Sequence, residues 1–260
     1  MRFFMEKGKV IAVANQKGGV GKTTSAINIA AALAKKRKKI LLIDSDPQGN
    51  ASSGVGFFNG EKDHNLYNAY SGTVKLEDIV ITTTSKNLAL VSSNINLVGV
   101  ELEMVSAAKR QFFLKTLIEP LRKNYDFIII DCPPSLGLLT VNALTAADSV
   151  LIPMQCEYFA MEGLAQLVST IRSVKKSFNK SLYIEGLLLT MFDKRNRLTH
   201  QVAQEIGKHF KEQLFTTVIP RNVRLSESPS HGKTIFQYDE KSTGAIAYVK
   251  VVNELLKKQR

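Results

Sequence analysis

Residues 10–24 read VIAVANQKGGVGKTT, and this stretch decides the fold of the chain. Residues 10–14 are apolar and rich in β-branched side chains, which is typical of a strand buried on both faces. A glycine-dense turn follows, and after it Ile27, Ala30 and Leu33 repeat at helical spacing. The order of strand, glycine loop and helix predicts a phosphate-binding loop.

The residue types in this loop suit a nucleotide and Mg²⁺. Glycines let backbone N–H groups converge on phosphate oxygens, and the N-terminal end of the next helix adds positive charge. Lys22 can reach the β- and γ-phosphates, and the Thr23 hydroxyl can ligate magnesium directly. The expected nucleotide-binding residues of the loop are Lys17, Gly18, Gly19, Val20, Gly21, Lys22, Thr23 and Thr24.

One position departs from the strict pattern G-x-x-x-x-G-K-[ST]. Gln16 stands where the first glycine belongs, and the loop gains an extra lysine, Lys17. The result, KGGVGKTT, resembles the deviant P-loop of the ParA/MinD/nitrogenase-iron-protein class. In that class the extra lysine crosses a dimer interface to the partner's nucleotide. The resemblance implies ATP as the nucleotide, and it implies that Lys17 acts catalytically in trans beside Lys22, much as an arginine finger does.

An acidic loop follows the second predicted strand, residues 40–43, and reads DSDPQGN at 44–50. The carboxyl end of a parallel strand is the usual place for ligand-binding residues, although Asp and Pro also make ordinary turns. The stretch LLIDSDPQGNASSG resembles the second nucleotide motif of ParA/Soj ATPases. The resemblance implies that Asp46 positions or activates the attacking water and that Asp44 lies near the magnesium, contacting it through water.

Another buried strand is predicted at residues 127–131, and it also ends in an acid, Asp131. It matches the Walker B pattern, in which this carboxylate holds magnesium through water. The next residues, CPPSLG at 132–137, resemble the switch loop of the family. Cys132 and Cys156 show no metal-ligand spacing, so we expect both thiols to be reduced in the cytosol.

The last third of the chain carries the remaining resemblances. Residues 220–233, PRNVRLSESPSHGK, resemble Soj-type partition ATPases. The residues that correspond to family positions around the adenine are Met191, Pro220 and Asn222. The residues that correspond to DNA-contacting positions are Arg195 and Arg224. The further DNA-binding candidates, added on charge alone, are Arg197, Arg221 and Lys233.

The net charge is unevenly distributed. The chain carries 35 basic and 23 acidic side chains, a formal net charge of +12, of which residues 1–171 contribute +3 and residues 172–260 contribute +9. This balance favours a polyanionic partner, either nucleic acid or an acidic membrane surface. The run KKRKK at 35–39 could also bind nucleic acid or act as a localisation signal. We prefer a simpler interpretation, in which these cations complement the dipole at a helix C-terminus.

Strands and helices alternate along the chain. The alternation predicts an α/β fold of the P-loop NTPase type, with a doubly wound, mostly parallel sheet and helices on both faces, in a single domain over residues 1–260. The other strands are expected at residues 88–91, 149–154, 182–191 and 216–219. The short or distorted helices are expected at 65–70, 76–80, 96–108 and 111–123, the last with Pro120 inside it. The apolar stripe of the final helix, 244–258, is expected to pack on the core rather than on a membrane.

The resemblance to ParA/Soj chromosome or plasmid partition ATPases covers nearly the whole chain and is weakest over residues 51–110. It implies an ATPase that forms a homodimer around ATP and binds double-stranded DNA without sequence preference. It also implies stimulation of hydrolysis by a ParB-type centromere-binding protein. Such a protein would be cytoplasmic and associated with the nucleoid, and no membrane partner is expected.

Three other functions share parts of the pattern. A MinD-like positioning ATPase would bind a membrane in place of DNA. A nitrogenase-iron-protein-like electron carrier needs cluster-ligating cysteines, and Cys132 and Cys156 do not stand in that family's cysteine contexts. A small-molecule ligase of the dethiobiotin-synthetase kind uses a related P-loop but has no need of a basic last third.

Overall fold

A seven-stranded sheet lies at the centre of the computed structural model, which describes residues 7–58, 64–157 and 160–259. The strands are β1 (Lys9–Val13), β2 (Ile40–Asp44), β3 (Val80–Thr82), β4 (Leu88–Val91), β5 (Phe127–Asp131), β6 (Ser149–Gln155) and β7 (Tyr183–Thr190). They lie in the order β3-β4-β2-β5-β1-β6-β7, and every neighbouring pair is parallel except β3 and β4. The predicted doubly wound, mostly parallel sheet is confirmed.

Helices cover both faces of this sheet. They are α1 (Lys22–Lys35), α2 (Asn50–Gly54), α3 (Leu66–Tyr70), α4 (Val98–Glu103), α5 (Phe113–Ile118), α6 (Leu138–Ala146), α7 (Ala160–Ser177), α8 (Arg197–His209), α9 (Val223–Glu227), α10 (Ile235–Tyr238) and α11 (Thr243–Lys258). Alternate residues of β1 belong to two hydrophobic cores, one on each face of the sheet. Val10 and Ala12 pack in the core with α5 to α7, whereas Ile11 and Val13 pack in the core with α1 and α11. The continuous apolar run of β1 therefore reflects burial on both faces.

The strand order brings three loops together at one edge of the sheet. β5 lies between β1 and β2, and its last residue, Asp131, is in register with Val13 on one side and Asp44 on the other. The connections that leave β1, β2 and β5 therefore start side by side. Ligands of open α/β sheets bind at this carboxyl edge, where neighbouring connections depart toward opposite sides.

The prediction of a strand at residues 216–219 is wrong. The segment makes isolated bridges to β7 and its extension at Leu214 and Pro220, and between these bridges its backbone leaves the sheet at Thr216 and Thr217. There the backbone N–H groups of Thr216 and Thr217 each donate to the Glu254 carboxylate over 2.9 Å. A side chain of α11 therefore takes the hydrogen bonds that a strand would have given to β7.

Three predicted helices are shorter than expected. Residues 96–108 contain the six-residue α4 after a 3₁₀ turn at Ile95–Leu97, and residues 111–123 contain α5 between two 3₁₀ segments. The second of those segments, Glu119–Asn124, carries Pro120, which cannot donate a helical hydrogen bond. The helix expected at 76–80 ends at Ile79, since Val80 begins β3.

Candidate functional site

The loop between β1 and α1 has the backbone shape that a phosphate cradle requires. Gly19 and Gly21 have φ angles of +72° and +80°, in the left-handed region that side chains disfavour, and Gly21 is the N-cap of α1. α1 runs for 14 residues from Lys22, so its N-terminal N–H groups and its dipole point into the loop. This local geometry follows from the glycine pattern.

A cavity of about 570 Å³ opens on this loop, a volume that suits a small-molecule ligand. Its lining residues are Gly18, Gly19, Gly21, Lys22, Thr23, Thr24, Ile27, Asp46, Asn50, Ser53, Phe58, Pro134, Met191, Pro229 and Ser230. The predicted P-loop residues therefore meet one predicted acid and one predicted adenine contact. Lys17 and Val20 do not line the cavity, and Val20 is buried with its carbonyl accepting the Thr190 hydroxyl over 2.8 Å.

The two lysines of the loop occupy different environments. Lys22 is 6% exposed and lines the cavity, where its Nζ donates to the carbonyl oxygen of Lys17 over 2.8 Å. Burial lowers the pKa of Lys22, and the negative charge of Asp131 opposes that shift. The Lys17 side chain is 43% exposed and forms an ion pair with Glu157 on the loop after β6. Lys22 therefore serves this chain's own cavity, and Lys17 lies outside it.

Asp131 is a buried acid that lacks hydrogen-bond donors. It is fully buried, and neither carboxylate oxygen has a hydrogen-bond partner among the described residues. Burial, and then the charge of Asp44, raise the pKa of Asp131 well above its usual value, although the nearby Thr23 hydroxyl lowers it. The hydroxyl thus lies close without completing a hydrogen bond of ordinary geometry. A hydrated cation beside Thr23 would satisfy both oxygens, so this pair of residues fits magnesium.

Asp44 differs from Asp131 in having partners. It accepts hydrogen bonds from the backbone N–H and the hydroxyl of Ser52, both over 2.7 Å, and from the N–H of Asp46 over 3.2 Å. Burial nevertheless raises the pKa of Asp44 to about 6, against the effect of these bonds. Asp44 therefore holds the acidic loop and α2 in place, and it adds negative charge beside Asp131.

Asp46 is placed to act on a molecule in the cavity. It is 6% exposed and lines the cavity, and its Oδ1 accepts the Gln48 N–H over 2.9 Å. The Ser93 hydroxyl donates to the Asp46 carbonyl oxygen over 2.7 Å and fixes the backbone. Within the described residues Oδ2 makes no hydrogen bond, so it can accept one from water.

The three predicted adenine contacts are not brought together. Met191 lines the cavity with a φ of +48°, an uncommon conformation for a residue with a side chain. Pro220 and Asn222 lie outside the lining, Pro220 beside Phe192 and Asn222 as the cap of α9, with its amide donating to the Thr243 hydroxyl over 2.7 Å. The lining residues that the sequence patterns did not indicate are Ile27, Asn50, Ser53, Phe58, Pro134, Pro229 and Ser230. The available signal was their proximity to the quoted motifs.

The predicted DNA-contacting arginines lie on two segments that meet. The N–H of Phe192 donates to Ile219 over 2.9 Å, which joins the loop carrying Arg195 to the loop carrying Arg221. The Arg195 side chain is 90% exposed and forms two hydrogen bonds to Asp193, and these bonds lower the pKa of Asp193 to about 2. Arg197 is exposed at the first position of α8.

Arg224 and Lys233 lie further along the second segment. Arg224 on α9 is exposed, pairs with Glu227 over 3.1 Å and lies 5.9 Å from the centre of the Tyr238 ring. Lys233 is exposed and follows the 3₁₀ turn Ser228–His231, whose Pro229 and Ser230 line the cavity on the P-loop. The basic residues therefore begin beside the cavity and continue away from it.

Comparisons with known proteins identify the family. Residues 8–184 match the family described as an AAA domain. The sporulation initiation inhibitor protein Soj of Bacillus subtilis is 52% identical over 248 residues, which cover 95% of this chain and 98% of that protein. The chromosome-partitioning ATPase Soj of Treponema pallidum is 46% identical over 249 residues, which cover 96% of this chain and 97% of that protein.

Solved structures show the same fold. A plasmid partition protein from Borrelia burgdorferi superposes with a TM-score of 0.79 at 32% identity, covering 97% of this chain and 99% of its own. Cobyrinic acid a,c-diamide synthase from Mycobacterium smegmatis, with a bound ATP analogue and magnesium, superposes with a TM-score of 0.85 at 34% identity, covering 97% of this chain and 96% of its own. The fold and the site thus define a P-loop NTPase of the deviant Walker A kind. The chain belongs to the ParA/Soj family of partitioning ATPases, and the predicted ATPase class and cofactors, ATP and Mg²⁺, are confirmed.

Two features bear on the other functions considered. The apolar stripe of α11 packs on α1, with Ala245, Tyr248 and Leu255 buried in the core, as predicted. In the described ranges no helix combines the length and the apolar character that crossing a membrane requires. Cys132 and Cys156 are both buried and unpaired by disulfides, and burial raises the pKa of each thiol.

Tyr158 and Phe159, in the stretch after β6 that resembles ParA/Soj proteins, lie outside the described residues.

Proposed function

We propose that this chain is a DNA-partitioning ATPase whose ATP-bound homodimer binds double-stranded DNA without sequence preference. Hydrolysis in this dimer is stimulated by a ParB-type centromere-binding protein, and the cycle segregates or positions chromosome or plasmid DNA. Residues 1–260 act as one ATPase domain. The place of action is the cytoplasm, at the nucleoid, because DNA is the surface that the exposed arginines suit.

The observation that carries the proposal is the separation of the two P-loop lysines. Lys22 lines the cavity, whereas Lys17 stands at the exposed rim, outside the cavity lining. A second chain that approaches this rim can bring its own Lys17 to the first chain's nucleotide, once the contact with Glu157 opens. That geometry supports a dimer in which each chain completes the other's phosphate site.

Within one chain the positions of the other site residues support the following roles. Lys22 and the N–H groups of the loop bind the phosphates, while Thr23 and, through water, Asp44 and Asp131 hold magnesium, which neutralises phosphate charge when it is bound. Asp46 orients water through its unbonded Oδ2. Met191 contributes to the adenine side, together with Pro220 and Asn222 after a rearrangement of their segment.

Gly18→Val tests the dimer. A Cβ at Gly18 would meet nothing within 4 Å in the single chain, so the variant should fold and bind ATP. The added side chain should instead obstruct the approach of a partner. Sedimentation with ATP should therefore give monomers for the variant and dimers for the wild type. If the variant formed the ATP dimer normally, the dimer interface would not lie at this rim.

Salt dependence tests the DNA surface. Arg195→Ala or Arg224→Ala should weaken binding to any duplex and reduce the slope of log affinity against log salt by about one to two, because each chain of the dimer loses a phosphate contact. Arg172→Ala is the matched control, since it removes the same charge from an exposed position on α7. ATP-dependent dimerisation must be intact in all three variants. Wild-type affinity and slope in both test variants would place the DNA surface elsewhere.

The action of the partner is tested separately. A ParB-type protein should raise phosphate release by the wild type in the presence of DNA. The same protein should leave Gly18→Val unchanged, because that variant does not form the dimer. Stimulation of both proteins alike would contradict a dimer-dependent cycle.

A further inference from the structure

A second cavity lies at the end of α1 opposite the P-loop. It has a volume of about 760 Å³ and opens where α1, β2 and β4 meet the start of α10. The lining residues are Ala31, Ala34, Lys35, Arg37, Lys39, Thr84, Ser85, Lys86, Asn87, Thr234, Phe236 and Gln237. α1 spans about 21 Å at 1.5 Å per residue, so this cavity is remote from the nucleotide site.

The charge of this lining has one sign. Four of its side chains are cationic and none is acidic. Lys35 is engaged, because its Nζ contacts Glu240 over 2.6 Å and lies 5.4 Å from the centre of the Phe236 ring. Arg37, Lys39 and Lys86 form no ion pair within the described part of the chain. Three exposed cations without an ion pair therefore lie around one concavity, and the acid in contact with them is Asp126, which accepts the backbone N–H of Lys39 over 2.7 Å.

These cations are not needed to complete the end of α1. The N–H of Lys36 donates to Ala32 and Leu33, that of Lys38 to Leu33, and that of Arg37 to Ala34. The Asn87 amide adds a weak contact to the Ala34 carbonyl at 3.4 Å. The carbonyls of Ala32, Leu33 and Ala34 thus have backbone partners, and the dipole explains only part of the charge in the run at residues 35–39.

Neutral donors stand among the cations. Thr84, Ser85 and Asn87 lie on the turn before β4, and the Gln237 amide reaches across the cavity to the Thr84 hydroxyl over 3.0 Å. The Lys35 ammonium over Phe236 occupies the aromatic face that a nucleobase would need. The lining therefore suits a ligand recognised by phosphate oxygens rather than by stacking.

We propose that this cavity binds a small anion with two or more phosphate groups, held by Arg37, Lys39 and Lys86. The concave shape and the volume favour a small molecule over a duplex, whose backbone is read on open surfaces. This site goes beyond the partition function, and it requires neither a dimer nor DNA.

The test is calorimetric titration with inorganic tripolyphosphate. The P-loop is first saturated with ADP and magnesium, and magnesium is kept in excess throughout. Wild type should bind one tripolyphosphate per chain. Lys39→Gln with Lys86→Gln should weaken that binding at least about tenfold, because two charge-assisted contacts are lost. The matched control, Lys36→Gln with Lys180→Gln, removes equal charge from exposed lysines outside the cavity lining and should stay within about twofold of wild type.

Three results would overturn the site. They are no saturable binding by wild type, equal weakening in the two double variants, and loss of duplex DNA affinity in the Lys39/Lys86 variant without any effect on tripolyphosphate. The last would make the cavity part of the nucleic-acid surface instead. None of these results depends on Arg195 or Arg224, so the failure of this site and the failure of the proposed function are distinguishable.

Discussion

The buried charged residues at the two ends of the sheet differ in whether they have partners. At the amino end, Lys9 on β1 and Glu185 on β7 form an ion pair that is 6% and 2% exposed. Lys9 also donates to the Tyr183 hydroxyl over 2.6 Å and to Gln259 over 2.7 Å. Glu185 accepts from the Ser149 hydroxyl over 2.6 Å and from the Gln259 amide over 2.9 Å.

At the carboxyl end a buried acid lacks such partners. Both oxygens of Asp131 lack hydrogen-bond donors among the described residues, and burial together with the negative charge of Asp44 raises the pKa of Asp131. Buried charge is costly unless it is paired and hydrogen-bonded. The fully bonded network at the amino end therefore has a structural role and joins α11 to the sheet. At the carboxyl end, a bound ligand would supply the partners that Asp131 lacks.

The largest expected effect is on the complete network. Lys9→Met should lower the free energy of unfolding by about 3–5 kcal/mol, because Glu185 keeps a buried charge without its partner. Denaturant unfolding measures this change. Lys7→Met is the matched control: its ion pair with Glu119 is exposed, so its loss should cost less than about 1 kcal/mol. Equal losses would contradict a stabilising role for the buried pair.

Lys22→Ala should show the reverse pattern. It removes the positive side chain from the phosphate cavity, so ATP affinity should fall at least about 10²-fold, or about 3 kcal/mol. Its unfolding free energy should change less than that of Lys9→Met. Equilibrium nucleotide binding measures the loss, and Lys9→Met should bind ATP normally while folded. If Lys22→Ala bound ATP with wild-type affinity, Lys22 would not be a phosphate-binding residue.

Asp46→Ala should separate chemistry from binding. Loss of the oxygen that orients water should slow phosphate release about 10²-fold, while Lys22, Thr23 and Asp131 remain to hold ATP and magnesium. The variant should therefore accumulate as an ATP dimer on DNA. Single-turnover hydrolysis and sedimentation measure the two properties. Undiminished phosphate release would assign the role of Asp46 to another group.

The smallest expected effect is a pH dependence. The pKa of Asp44 is about 6 in the folded chain and about 3.9 when unfolded, so the folded state binds the extra proton between these values. The contribution of Asp44 to stability without nucleotide should therefore be fully present below the unfolded pKa and should be lost as pH rises through about 6. Asp44→Asn cannot titrate, and between pH 4 and pH 7 it should lose less stability than wild type by on the order of 2 kcal/mol.

Asp193→Asn is the control for that experiment, because the pKa of Asp193 is shifted in the opposite direction from that of Asp44. Arg195 holds the pKa of Asp193 at about 2, so any contribution of this acid is present above its unfolded pKa and is lost as pH falls through about 2. Parallel pH profiles of wild type and Asp44→Asn would show that Asp44 does not titrate in this range.

The sequence predicts the parts of the molecule that are encoded locally. The runs at 88–91 and 127–131 match β4 and β5 residue for residue, because strands buried on both faces need unbroken apolar segments. The P-loop follows from its glycines, and the meeting of Lys22, Asp46 and Asp131 follows from the parallel order of the strands. The family resemblance named the roles that this local pattern could not.

The rest depends on contacts between distant segments. Residues 216–219 have a β-like composition, yet Glu254, more than thirty positions later, accepts the N–H groups of Thr216 and Thr217. Pro229 and Ser230 reach the nucleotide cavity through the fold of the last third, without any phosphate-binding pattern of their own. The ion pair that holds Lys17 to Glu157 joins residues 140 positions apart. Tertiary packing of this kind leaves no periodic trace in a single sequence.

The segment that leaves the sheet beside β7 also protects the molecule against aggregation. An open edge strand offers unpaired N–H and C=O groups to other chains. Here Phe215 and Ile219 donate to Leu187 and Leu189 on the outer side of β7, and Glu254 caps the N–H groups in between. The opposite edge is the three-residue β3, too short to serve as a good template. Two copies of this chain can therefore come into contact without pairing their edge strands, and the Glu254 carboxylate on the last helix contributes to that protection.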